Sequence, residues 1–401
     1  MSDEERLRLF ARLPKAEALS NGVLAATFAD PMAIEAFWFR WYLDGFVDQG
    51  NGKVKCLVGR PGSGKTHLLR HLGQMSRDAG YGVALVDAGQ DRISLIDELY
   101  RLVARQIPWN ALLEDVLTRV IADELGYPEF TGHAGEFVAW AESTRSLSAN
   151  LVRRDLREAI DFFLKKADLD AEFSLAVRGW LHQLVSGEPL EKSPAEAWLL
   201  GMKIGVSERK TLGLRNNLTR RNARAALTSL ASLLHQARRR GLLVLIDNIG
   251  AMASTTRVEG RAYYTRGTRD QAYEMIRQLV DESPFTPYLM TILAGEQGGV
   301  TNSRTGFPSY PALWARLQNE VQSPKPNRFA DLVDLDQLWD EDRLDRETWA
   351  VKWRGNVLAW NETWAEEPEV PTSMGLEWGY PRRMVVAALG ERLLETGGSS
   401  S

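Results

Sequence analysis

Four short apolar runs stand out along the chain: VKCLVG (54–59), GVALVDA (82–88), LLVLID (242–247) and YLMTILAG (288–295). Rich in Val, Leu and Ile with little polar interruption, each reads as a strand buried on both faces, as in a parallel sheet. A segment of helical periodicity, Lys65 to Asp78, joins the first two and stops at Gly80. The unit is strand–loop–helix–strand, the building block of an α/β fold.

From residue 92 to 240 the period is that of helices. In DRISLIDELYRLVARQI the apolar positions Ile93, Ile96, Leu99, Leu102 and Val103 fall three and four apart. NLTRRNARAALTSLASLLHQARRRG reads as one long amphipathic helix, with Thr219 as N-cap and Gly241 as its stop. Turn signals SGEP and EKSP break the stretch between into short helices. A helical insertion at about 110–215 is therefore expected inside the α/β layer. SPKPNR marks a boundary after residue 320, beyond which the pattern is helical up to the tail ETGGSSS. The expected division is an N-terminal helical segment (1–50), a nucleotide-binding core with its insertion (51–320), a C-terminal helical lid (321–394) and a disordered tail (395–401).

Composition changes this picture little. With 401 residues and 44% hydrophobic content the chain can bury a large core. A net charge of -4 gives no global attraction to nucleic acid, so any such contact must come from a local basic face. Cys56 is the one cysteine, so no intramolecular disulfide can form, and its apolar context makes it a small buried hydrophobe. No apolar stretch approaches the roughly 18 residues of a membrane span, and the N-terminus has no signal-peptide pattern. A cytoplasmic protein is expected.

The strongest chemical signal follows the first strand. Gly59-x4-Gly64-Lys65-Thr66 has the spacing of a phosphate-binding loop, between a strand and a helix as that loop requires. Gly59, Gly62 and Gly64, with Ser63 among them, let backbone N–H groups converge on phosphate oxygens, and the helix N-terminus adds its partial positive charge. Lys65 would neutralise the β and γ phosphates of ATP, and the Thr66 hydroxyl would sit on Mg²⁺. Asp247, at the end of LLVLID, is placed to support the same Mg²⁺, although an aspartate there can also cap the following turn. In the large class of such ATPases with an extra strand between loop strand and acidic strand, the next residue is usually Glu. Here it is Asn248, whose amide orients water but takes no proton. Slow hydrolysis, or a substitute carboxylate at Glu296 or Asp87, is expected. His67 and His71 lie four apart on the helix, but with no third ligand in view they read as surface or packing residues.

These pieces resemble the ATP-binding proteins of bacterial BREX phage-defence systems, specifically the BrxD type. GRPGSGKTHLLRHLGQMSRDAGYGVALVDAG is similar to the family's loop, helix and second strand, and VRGWLHQLVSGEP to a helical motif of its insertion. RGLLVLIDNIG takes the acidic-strand place, RDQAYEMIRQLVDES resembles its tyrosine-containing helix, and ILAGEQGGVTNSRTGFPSYPALWARL its fourth strand and following loop. GYPRRMV resembles its closing segment. The resemblance implies an AAA+-like ATPase module of the P-loop class, using ATP and Mg²⁺ in a multi-protein, DNA-directed assembly. Where the family carries Asp-Glu this chain has Asp247-Asn248, and where it carries AGTP this chain has AGEQ, with Glu296 in place of Thr. By motif position Arg316 would reach a neighbouring subunit's γ-phosphate, and Arg382 would sense it from the lid.

Arg220, Arg221, Arg224, Arg238, Arg239 and Arg240 make either a phosphate-binding stripe or a solvated helix, the second fitting the usual fate of charge runs. Trp349, Trp353, Trp360 and Trp364 share one helical face beside Glu362, Glu366 and Glu367, which favours packing over base stacking. The expected function is an ATP- and Mg²⁺-binding module of a defence system, with other defence proteins as partners, DNA contact direct or through them, homo-oligomerisation possible in principle, and no membrane. The rivals are a non-hydrolysing, nucleotide-gated interaction subunit and a DNA-stimulated translocase or loader.

Overall fold

The computed structural model describes residues 34–61, 63–186, 193–321 and 327–341. Gly62, Arg382, the four tryptophans at 349–364, most of the expected lid and the tail lie outside the described residues.

One parallel sheet organises these residues. Its strands are β1 (Lys53–Gly59), β2 (Gly82–Asp87), β3 (Leu242–Asp247), β4 (Leu289–Glu296) and β5 (Leu332–Asp334), in the order β2-β3-β4-β1-β5. The first four match the apolar runs within a residue at each end. Both faces are covered, so alternate residues serve two separate cores. Leu57, Val83, Leu243, Leu245, Met290 and Ile292 meet Leu68, Leu69 and Leu72 of the Lys65–Asp78 helix, with Trp38, Leu43 and Val47 of the N-terminal helical turns. Cys56, Val58, Val86, Val244, Ile246 and Leu293 face the larger core on the other side. Burial pushes the Cys56 thiol up to about 12, so it packs as a hydrophobe.

Between β2 and β3 the described residues form helices and loops, from Ile96–Ala104 to Ala223–Gln236. Amphipathic spacing explains them: in Ala149–Lys166 the buried positions are Val152, Leu156, Ala159, Ile160, Phe163 and Leu164. The long basic helix is shorter than its sequence pattern suggests. Asn222, not Thr219, occupies the N-cap, and Arg220 and Arg221 lie in the preceding turn. Past Gln236 the chain leaves the helix, with Arg238 at φ 61. No arginine stripe results, because Arg224 pairs with Glu282, Arg238 with Asp123, Arg239 with Asp115 and Arg240 with Asp44.

β5 is the element the pattern misses, since helix alone was expected beyond residue 320. Three residues are too few to show a period, and the strand is held from outside by donors of other elements. Lys55, fully buried in β1, donates through Nζ to the carbonyls of Phe329 (2.5 Å) and Ala330 (2.6 Å). Trp38 Nε1 donates to Arg328 O (3.1 Å) and Tyr42 Oη to Phe329 O (3.1 Å). Four hydrogen bonds thus pin residues 328–330, and the Lys55 ammonium also lies 4.3 Å from the centre of the Tyr42 ring. Replacing Lys55 by Met keeps the bulk and removes the donor. The loss is expected to be about 1–3 kcal/mol for the Ala330 carbonyl left bare, since the Phe329 carbonyl keeps Tyr42 Oη. Urea unfolding measures it, and an unchanged midpoint would show that the lysine is no latch.

Candidate nucleotide-binding site

The loop from Gly59 to Thr66 turns where β1 ends. Gly64 has φ 94, a left-handed conformation open to glycine, and the Lys65–Asp78 helix starts directly after it. A Cβ at Gly59 would stand 2.6 Å from Ser63 Oγ, so the first glycine is needed for space. Lys65 Nζ folds back on the loop, donating to Gly59 O (2.9 Å), Arg60 O (2.8 Å) and Ser63 Oγ (3.2 Å). Burial lowers the Lys65 pKa, against the opposing pull of Asp336, Asp247, Glu296 and Asp334.

Asp247 meets the loop directly: Thr66 Oγ1 donates to its Oδ2 at 2.6 Å, and the Asn248 N–H donates to its Oδ1 at 2.8 Å. The carboxyl is 5% exposed, and burial raises its pKa in spite of both bonds, with the nearby Asp87 adding to the rise. Asn248 sits in the left-handed region (φ 58, ψ 31), and its Nδ2 donates to Asp87 Oδ1 at 2.9 Å. Glu296 is exposed at the tip of β4, opposite Gly59 in register.

Two carboxylates absent from the sequence reading complete the surroundings. Asp336 Oδ2 accepts the Arg60 N–H at 2.7 Å and lies 3.2 Å from Arg60 Nε. Asp334, at the tip of β5, accepts from Gln297 Nε2 at 2.7 Å and from the Asp336 N–H at 2.9 Å. Burial raises its pKa as well. The only trace of either in the sequence is LVDLD, where two apolar residues precede an aspartate.

The loops after β3 and β4 touch through glycines. A Cβ on Gly295 would meet Ile249 Cγ1 at 2.5 Å and the Gly250 nitrogen at 3.0 Å, and one on Gly299 would meet Gly250 Cα at 3.0 Å. Farther along, the GFPSYPALWARL stretch packs on the Arg266–Glu282 helix. Phe307 stacks edge-on against Tyr273 (5.2 Å), and Tyr310 Oη donates to Glu274 Oε2 at 2.8 Å. Arg316 is on this surface, paired twice with Asp281 (Nε–Oδ1 2.7 Å; second nitrogen to Oδ2 3.0 Å), and among the described residues makes no hydrogen bond to the loop. The structure therefore gathers Gly59, Ser63, Gly64, Lys65, Thr66, Asp247, Asn248 and Glu296 at one edge and leaves Arg316 outside that group. His71 contacts Glu35. Among the described residues no group of three or more His, Cys, Asp or Glu is placed to hold a metal ion alone.

Chemically the edge offers backbone and ammonium donors for phosphate, and a hydroxyl–carboxylate pair for a hard cation. The raised Asp247 pKa carries a consequence for stability. A carboxyl raised in the fold stabilises it below the unfolded value near 3.8, and that contribution is lost as pH rises through the folded value. At neutral pH the ionised group is a burden, which Asp247→Asn relieves, with its one oxygen kept for Thr66 and the Asn248 N–H left without its acceptor at every pH. Relative to wild type without nucleotide, the variant's thermal midpoint is expected to rise as pH goes from 4 to 7. A difference in midpoint that does not change with pH would contradict this account.

Comparison with known proteins agrees with the geometry. A family model described as BREX system ATP-binding protein BrxC/D matches residues 43–345, which include the loop, all five strands and the carboxylate edge. No curated protein matches the chain. The extent of that match settles the family: the chain belongs to the BREX system ATP-binding proteins BrxC/D, ATP-binding components of a defence system.

Proposed function

We propose that this chain is a P-loop module of the AAA+/ASCE kind that binds ATP with Mg²⁺ and uses it to change conformation within a DNA-directed defence assembly. One observation carries the reading: the 2.6 Å bond between Thr66 and Asp247, which joins loop to acidic strand across the intervening β4. The hydroxyl and the carboxylate are the pair that would hold Mg²⁺, and the bound ion would supply charge neutralisation at the phosphates.

Charge supports the same reading. Around the loop stand four carboxylates, Asp247, Glu296, Asp334 and Asp336, against two cations, Lys65 and Arg60. A polyphosphate entering such a site needs a further cation. On binding, Lys65 would exchange its loop carbonyls for phosphate oxygens, and the freed N-terminus of the Lys65–Asp78 helix would face the same group.

Hydrolysis is slow alone, or activated by partners, because residue 248 brings an amide. Arg316 completes a neighbour's site after releasing Asp281, which implies a homo-oligomer, and Arg382 acts from the 321–394 lid. DNA contact, direct or through partners, would use Arg220 and Arg221, which are exposed and in none of the ion pairs of the described residues. Asn248 also favours a second reading, in which the bound nucleotide gates an interaction and is not hydrolysed.

Lys65→Ala is expected to weaken MgATP binding at least 100-fold in titration calorimetry, and Thr66→Ala to remove the Mg²⁺ dependence of that binding. Unchanged ATP affinity in Lys65→Ala would sink the P-loop reading. Turnover of the purified wild type, with and without DNA, then separates a slow ATPase from a nucleotide-gated subunit.

A further inference from the structure

Four strands of the sheet end in carboxylates: Asp87 on β2, Asp247 on β3, Glu296 on β4 and Asp334 on β5. Asp247 is committed to Thr66, and Asp334 to Gln297 and the Asp336 N–H. Asp87 and Glu296 remain.

Asp87 stands beside Asp247 in the parallel register of β2 and β3, a spacing of about 4.8 Å between strands. Its placement is fixed from several sides. Oδ1 accepts the Asn248 amide at 2.9 Å and the Gly89 N–H at 2.8 Å. Its own carbonyl accepts the N–H groups of Gln90 (3.0 Å) and Asp91 (2.8 Å), which closes a tight turn. A Cβ at Gly89 would come within 3.1 Å of Asp87 Oδ1 and 3.5 Å of Asn248 Cβ, so glycine leaves room for the pair. Oδ2 accepts no hydrogen bond among the described residues. Glu296, in contrast, is exposed, and its side chain has no hydrogen-bond partner among them.

The left-handed backbone of Asn248 matters here. Asn tolerates that region better than most residues, and the turn aims the amide back at β2. An amide at 248 takes no proton, but it donates one hydrogen bond to a carboxylate that can. The acidic function expected on β3 is thereby moved one hydrogen bond sideways, onto β2.

We propose that Asp87 is the catalytic carboxylate of ATP hydrolysis in this chain, and that Asn248 is the positioning residue that holds it. The inference rests on the hydrolysis reading given above. A water between Asp87 Oδ2 and the γ-phosphorus loses its proton to Asp87 as its oxygen forms the new P–O bond. The bond from the γ-phosphorus to the β–γ bridging oxygen breaks, ADP leaves with that electron pair, and Asp87 returns the proton to solvent. A carboxylate held by two donors with one oxygen free is already oriented for this, which an unheld exposed side chain is not.

The test uses the full-length chain with MgATP and reads turnover, ATP affinity and thermal midpoint together. Asp87→Asn is expected to lower kcat about 100-fold, with ATP affinity and midpoint kept within about 3-fold and a few degrees of wild type. Asn248→Ala lowers kcat and leaves KM in place, as loss of positioning should. Asn248→Glu added to Asp87→Asn restores turnover by returning a carboxylate to β3, an effect that a structural role for Asp87 does not predict. Wild-type turnover in Asp87→Asn overturns the proposal, and does so in favour of Glu296 if Glu296→Gln loses it. Loss of ATP binding in Asp87→Asn also overturns it. Wild-type protein that binds MgATP without any turnover refutes the hydrolysis reading itself, and binding then remains as the surviving claim.

Discussion

Mutual repulsion of carboxylates along one edge of the sheet is the constraint around which the site is arranged. Parallel strands covered on both faces place most of their polar groups at their ends, and here four of five C-terminal tips are acidic. Two unit charges about 5 Å apart repel by roughly 3 kcal/mol at an effective dielectric near 20. The structure answers tip by tip. Asp247 takes a hydroxyl and an N–H, Asp87 an amide and an N–H, and Asp334 an amide and an N–H. β1, whose tip is the glycine loop, contributes the cations Lys65 and Arg60. The raised pKa values of Asp247 and Asp334 are the residue that these bonds do not cancel, with burial the leading cause in each.

That arrangement couples the loop to the far end of the chain. Asp336 belongs to the Leu335–Glu341 helix that follows β5, and it holds both the backbone and the guanidinium of Arg60. β5 is itself fixed to β1 by Lys55, by the Cys56 N–H on Asp331 O (2.7 Å) and by strand pairing at Cys56, Leu57 and Val58. Any shift of Lys65 or Arg60 therefore alters a network shared with β5.

Much of the frame was legible because parallel-sheet burial writes itself as apolar runs, and the glycine loop has a spacing that few other structures demand. What stayed hidden depended on partners distant in sequence. Lys55 looks like a charge inside a strand until the carbonyls of residues 329 and 330 are brought to it, 274 and 275 positions away. β5 has three residues and no period to show. Arg238, Arg239 and Arg240 resemble a cationic helix end, yet each finds an aspartate on another element, and positive φ at Arg238 ends the helix early. Asn248 could be seen as a missing carboxylate. Its bond to Asp87, 161 residues away, could not.

The same logic bears on Arg316. In the isolated chain it forms a bidentate pair with Asp281, beside a network that runs through Arg277, Glu274 and Tyr310. A pair this exposed adds little to stability, because water and salt screen it and two long side chains must be held still. Its effect is on geometry: the guanidinium is held at the surface between Asp281 and the Ala312 carbonyl, and Asp281 raises its pKa further. Two oxygens of a tetrahedral phosphate accept the same two-point hydrogen bonding, with more charge than one carboxylate. An arginine parked on a weak exposed partner can be transferred to a neighbour's phosphate at small expense, whereas one sealed in a buried pair could not. On the reading proposed above, in which Arg316 serves a neighbouring copy, an exposed pair of this kind is one the guanidinium can leave readily.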